Sequence, residues 1–115
     1  MWPMSQRQVT AMTVDDFETA LVSADPDVTK WTGTGNGNYT VWSPYRYGHL
    51  AGENDTAEQS ARIQVDRFTK DDNDAIVAAI HAALRAHCDE IAFEYQVDFE
   101  QDTGYLHHIW DCEVV

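Results

Sequence analysis

Long apolar runs are missing from this chain. No stretch approaches the roughly 18 to 20 apolar residues that a membrane-crossing helix needs, and Met1-Trp2-Pro3-Met4-Ser5-Gln6-Arg7 lacks the apolar centre of a secretory leader. No membrane partner is expected, and the chain reads as soluble and made in a cytoplasm. Cysteine is scarce. Cys88 and Cys112 are the only two thiols, too few for a disulfide framework and compatible with a reducing compartment. Positive charge is scarcer still for the size: seven Lys and Arg stand against twenty Asp and Glu, a formal net charge of −13. That sign opposes a grip on a phosphate backbone, so sequence-specific nucleic-acid binding is not expected. Internal repeats and low-complexity linkers are also lacking.

What is present suffices for a core. Hydrophobic residues make up 43% of 115, with four Trp, five Tyr and four Phe, enough apolar surface to offset chain entropy in one domain. The acidity keeps such a domain soluble and self-repelling at low salt, and would be ordinary in a saline cytoplasm. Little before Thr13 carries a structural pattern. Residues 1–12 are therefore expected to be extended or poorly ordered, and 13–115 to form the domain.

Thr13-Val14-Asp15-Asp16-Phe17 reads as a helix start, with Thr13 as cap, Asp16 three residues on and early acids at the positive end of the dipole. Val14, Phe17, Leu21 and Val22 line one face, and the helix must stop before Pro26. Val28 to Trp31 suggests a short strand. Thr32-Gly33-Thr34-Gly35-Asn36-Gly37-Asn38 reads as a hairpin turn or tip. Tyr39 to Ser43 alternates as a strand ending at Pro44, and Tyr45 to Ser60 reads as a long polar connection, the candidate for a surface that orders on assembly. Ala61 to Thr69 alternates again. Asp71 to Cys88 is predicted as a helix, its apolar stripe being Ile76, Ile80, Ala83 and Leu84, with Asp71, Asp72 and Asp74 in its first turn. Ile91, Phe93, Tyr95, Val97 and Phe99 alternate with Ala92, Glu94, Gln96, Asp98 and Glu100, so the first set is expected to face the core and the second to be wet. After Asp102-Thr103-Gly104 the chain returns through Leu106, His108, Trp110, Cys112 and Val114. The sum is an α+β fold: a two-layer sandwich of a mostly antiparallel sheet with two helices packed on one face.

Motifs of chemistry are weak. Gly33-x-Gly35-x-Gly37 has neither phosphate-loop spacing nor a following helix. His81 and His87 are six apart, too far for one metal on one helix, and adjacent His107 and His108 point to opposite faces of a strand. Asp71-Asp72-Asn73-Asp74 lacks the glycine and distal Glu of a calcium loop. Neither cysteine carries a nucleophile signature, and Cys112 sits at an inward position suited to an inert hydrophobe. No catalytic, cofactor or metal residue is nominated, and the chain reads as a non-enzyme.

Binding surfaces are better supported. Glu94, Asp98 and Glu100 form a wet acidic row suited to a basic partner. The aromatics Trp31, Trp42, Tyr45, Tyr47 and Trp110 exceed what a small core hides, and aromatic residues and Arg favour interfaces. The candidate contact residues are Trp42, Tyr45, Arg46, Tyr47, His49, Leu50, Glu94, Asp98 and Glu100.

Tyr39-Thr40-Val41-Trp42, the segment Arg62-Ile63-Gln64-Val65-Asp66-Arg67-Phe68-Thr69-Lys70-Asp71, and the stretch from Phe93 to His108 resemble the tail terminator or tail completion proteins of long-tailed phages. The resemblance covers about Thr13 to the end and lies in residue types rather than invariant signatures. It implies a virion protein that forms a ring, commonly a hexamer, at the head-proximal end of the tail. Its partners would be further copies of itself, the major tail tube protein and the head-tail connector, with the genome passing through the ring. The glycine-rich tip and the heavy acidity do not map onto that family. A rival from another class is a small acidic phage-encoded inhibitor that mimics nucleic acid and blocks a basic protein. It requires acids clustered on one surface, whereas here they are spread over caps, turns and wet strand faces.

Overall fold

The computed structural model describes residues 12–49 and 59–114, excepting the side chains of 47–49 and 59–60. Its elements run α1 (Val14–Ala24), β1 (Thr29–Lys30), β2 (Tyr39–His49), β3 (Gln59–Thr69), α2 (Ala75–Arg85), β4 (Ile91–Phe99) and β5 (Leu106–Val114). The five strands form one sheet in the order β1-β2-β3-β5-β4. Every neighbouring pair is antiparallel except β1 with β2. Two helices on one face complete the α+β sandwich expected from the sequence.

The local rules explain most of these elements. α1 begins with a capping box: the Thr13 hydroxyl accepts from the Asp16 amide at 3.0 Å, and the Asp16 carboxylate accepts from the Thr13 amide at 3.0 Å. Phe17 and Leu21, one helical turn apart, are its fully buried residues. α2 buries Ile80 and Leu84 by the same spacing. These four side chains pack on Trp42, Ile63, Val65, Trp110 and Cys112 of the sheet, a continuous apolar layer from three central strands.

Several boundaries differ from the sequence reading. α2 starts at Ala75, with Asp74 as its cap: the Asp74 carboxylate accepts from the Ile76 amide at 2.9 Å. Asp71 and Asp72 precede the helix, where the Thr69 hydroxyl accepts from the Asp71 amide and bends the chain before the cap. β2 does not stop at Pro44. Its register shifts between Pro44 and Arg46, a bulge that accommodates a residue lacking an N–H, and pairing then resumes to His49. Tyr45 to His49 and Gln59 to Ser60, expected in a long loop, are thus strand, while residues 50–58 lie outside the described residues. The glycine-rich segment is not a hairpin turn, because β1 and β2 run parallel. Trp31, at φ 78°, turns the chain out of β1. An added Cβ on Gly33 would lie 2.2 Å from the Tyr39 ring, so this segment packs directly on that ring. Of the expected extended segment, residues 1–11 lie outside the described residues, and Met12 packs on the core.

One buried cation joins the layers. Arg67 on β3 is 7% exposed. Its Nε donates to the Asp74 carboxylate at 2.8 Å, one Nη donates to the Thr40 hydroxyl at 3.2 Å and lies 3.7 Å from Asp25. Asp25 caps the end of α1 and Asp74 caps the start of α2, so one guanidinium ties both helices to two strands. Removing one member of a buried ion pair leaves uncompensated buried charge. Arg67→Ala is therefore expected to lower the unfolding free energy by about 3–5 kcal/mol, as read from urea denaturation midpoints at neutral pH. A loss below about 1 kcal/mol would show that water solvates both carboxylates readily.

Candidate functional site

The helix-free face of the sheet carries a polar and aromatic cluster. Alternation along β3 sends Arg62, Gln64, Asp66 and Phe68 to this face, and the register sets His107 beside Phe68 and Asp111 beside Gln64. His107 stacks on Phe68 with centroids 4.1 Å apart, and Phe68 stacks on Tyr39 at 4.8 Å. The His107 Nε2 lies 2.6 Å from Asp66 and its Nδ1 lies 3.3 Å from Glu100. The two carboxylates sit at opposite ring nitrogens, so they do not converge on one point. Among the described residues no group of three or more His, Cys, Asp or Glu is placed to hold a metal ion. Nearby, Arg62 contacts Glu113 at 3.3 Å and Asp111 at 3.7 Å, and donates to the Tyr45 hydroxyl at 3.1 Å. Tyr45 in turn donates to Asp111 at 2.8 Å.

The helix side of β4 forms the second feature. An open groove of about 570 Å³ lies between α2 and the β4–β5 hairpin, lined among others by Asp74, Val77, His81, Arg85, Tyr95 and His108. The Tyr95 hydroxyl and His108 Nδ1 are 2.7 Å apart, and the Trp110 indole N–H donates to His81 Nδ1 at 3.2 Å. Burial, with Arg85 adding to it, pushes His81 below its ordinary value. Burial likewise lowers His108, against a smaller upward pull from Asp74. Burial pushes Asp74 up, but bonds from Arg67, the Ile76 amide and Thr69 outweigh it and hold the carboxyl below its usual range. Burial first, then Asp111, pushes the Cys112 thiol up to about 12. That thiol is fully buried and protonated at neutral pH, as an inert core residue.

The edges of the sheet form the third feature. Among the described residues, β4 has no strand on its outer side, and β1 covers only Val41 and Trp42 of β2. Residues 43–49 of β2 are thus an open edge opposite β4. An 11-residue helix spans about 16 Å, whereas a nine-residue strand spans about 30 Å. α2 therefore cannot cover the whole of β4, on which Ile91 is buried, Phe93 half-buried and every residue from Glu94 on exposed. Val97 and Phe99, expected in the core, are 45% and 60% exposed.

The nominated contact residues divide accordingly. Trp42 is 1% exposed and, with Trp110, belongs to the core; the abundant tryptophan that suggested a surface is partly core material. Tyr45 and Trp31 are 50% and 57% exposed, and Arg46 is exposed on the same face as Arg62. Glu94 and Asp98 are exposed on the outer strand. Glu100 is half-buried and held by the Thr103 hydroxyl and His107. The side chains of Tyr47 and His49, and all of Leu50, lie outside the described atoms. Sequence reasoning missed Lys30, whose Nζ sits 4.9 Å over the Trp42 ring at the β1 edge, and it missed the exposure of Val97 and Phe99. Comparing helix length with strand length would have revealed the latter.

No protein-family model and no curated protein matches this chain.

His81 and His108 both have lowered values, so the unfolded chain binds their protons more readily. Their stabilising contribution is complete above the ordinary value of 6.5 and is lost as pH falls from there through their folded values. Protonation also removes the acceptor that satisfies the Trp110 indole. Stability is expected to decline below pH 6.5, and His81→Asn, which keeps an acceptor but does not titrate, to flatten that decline. Equilibrium unfolding from pH 8 to 5 measures this; an unchanged slope in the variant would remove His81 from the account.

Proposed function

We propose that this chain is a structural virion protein, a ring-forming subunit of the tail terminator or tail completion kind at the head-proximal end of a long phage tail. The observation that carries the reading is the pair of edges, on opposite sides of one sheet, that are unpaired among the described residues. Identical copies joined through two different surfaces repeat by rotation and close into a ring when the angle permits. An exposed edge strand is a template for pairing with another chain. The resemblance noted in the sequence adds the location. Its strand, helix and closing hairpin correspond to β3, α2 and β4–β5, which follow one another in the chain, and the three strands are neighbours in the sheet.

In this role the protein binds and sets geometry without performing a reaction. The ring, a hexamer in this reading, caps the tail tube, so its partners are further copies of the chain together with the major tail tube protein and the head-tail connector. Acidic residues toward the lumen would repel the passing genome and prevent a tight grip. The rival inhibitor reading requires free acids gathered on one surface. Here Asp25 and Asp74 are spent on Arg67, Asp111 and Glu113 on Arg62, and Asp66 and Glu100 on His107.

A charge of −13 per copy opposes assembly over the screening length, about 10 Å at 0.1 M salt and 3 Å at 1 M. Apolar contacts are not screened. Sedimentation velocity across this range is expected to show one discrete multimer growing at the expense of monomer as salt rises. A monomer at every salt and protein concentration would contradict the ring, and a one-to-one complex with a basic protein would favour the inhibitor.

A further inference from the structure

We infer that copies join by strand addition, the outer edge of β4 in one copy pairing antiparallel with residues 43–49 of β2 in the next. The inference deepens the ring reading and rests on it. The occupant of each edge is thus a second copy of this chain.

Strand direction permits this without inverting a subunit. β2 and β5 run one way, β3 and β4 the other. A neighbour in the same orientation therefore meets β4 with an antiparallel β2, and the sheet continues from copy to copy. Lengths also agree. With Arg46 seated opposite Gln96 and the bulged Tyr45 counted, Pro44 falls opposite Val97 and Asp98 opposite Ser43, the first β2 residue beyond the part covered by β1. The pairing then ends at Asp98, and Phe99, one residue on, meets β1, where Trp31 is exposed and Lys30 lies beside it.

The chemistry of the two edges is complementary in the same register. Arg46 and Gln96 both lie on the helix-free face. Glu94 and Asp98 flank Gln96 on that face and become the diagonal neighbours of Arg46, within reach of its long side chain. On the other face, Val97 and Phe99, which α2 leaves bare, are brought to the exposed aromatic corner at Trp31 of the next copy and covered there. The competing arrangement, β4 against β4 about a two-fold axis, brings Glu94 and Asp98 of both copies together. Four carboxylates then share one face with no cation among them, and like charges directly across a pair are destabilising.

Cross-linking tests the register. In a Cys88→Ser background, which removes the exposed native thiol and leaves buried Cys112, Arg46→Cys combined with Gln96→Cys is expected to oxidise to a ladder of covalent multimers ending at the ring. Arg46→Glu alone is expected to raise the concentration for half-assembly about tenfold or more, and adding Glu94→Lys with Asp98→Lys to restore it. Circular dichroism of each variant checks that the fold is kept. Multimers of the wild type with no ladder and no response to Arg46→Glu would overturn the edge contact while leaving the ring reading intact. Covalent dimers from Gln96→Cys alone would show the two-fold arrangement and overturn it as well. A wild type that stays monomeric throughout would overturn both.

Discussion

The arrangement of the two layers depends on Arg67. A guanidinium offers several N–H donors in a fixed plane, and here they face the cap residue after one helix, the cap residue before the other, and a neighbouring strand. Asp25 and Asp74 are also bound to local amides, those of Asp27 and Ile76. Each carboxylate thus holds a local amide and a tertiary contact at once. Lysine, with a compact ammonium in place of the planar fork, would not reproduce that geometry. Because both helix ends are fixed at this one point, their apolar faces meet the sheet over Trp42, Ile63, Val65 and Trp110.

That fixed position determines what remains uncovered. α2 begins beside Arg67 and runs toward Ile91, so the Phe99 end of β4 extends beyond it. The helix-free face has no second layer among the described residues. It is satisfied instead by its own pairs, Arg62 with Asp111 and Glu113, and His107 with Asp66 and Glu100. Those pairs engage four of the twenty acidic residues. Along the sheet edges the exposed charge is unevenly placed, with Glu94 and Asp98 at one edge and Lys30 and Arg46 at the other. An overall negative protein can in this way carry complementary edges.

Periodicity in the sequence located both helices and the long strands because it reports which side a residue faces. It does not report whether anything covers that side. Hence the alternation through Ile91, Phe93, Tyr95, Val97 and Phe99 identified β4 correctly and misjudged its last two apolar residues. Pro44 misled for a related reason: proline ends ordinary strand pairing, but a bulge absorbs it, and no local signal marks the bulge. The parallel pairing of β1 depends on contacts with β2 across the glycine-rich segment and was invisible to turn rules. Among the nominated contact residues, Glu94 and Asp98 followed from simple alternation. Trp42 did not, since residue type alone cannot distinguish a core tryptophan from an interface one. The linkage of Asp25, Arg67 and Asp74 joins residues far apart in sequence, each of which has an adequate local explanation by itself.

The central claim is that the outer backbone of β4 is free in the monomer and paired in the assembly. Amide hydrogen exchange, compared at low and high salt on the same protein, reads that backbone directly. The expected result is that slowed exchange appears together at residues 93–99 and 43–49 as the multimer forms, while β3 and β5, already paired on both sides, change little. Multimer formation with unchanged exchange in β4 would contradict the account.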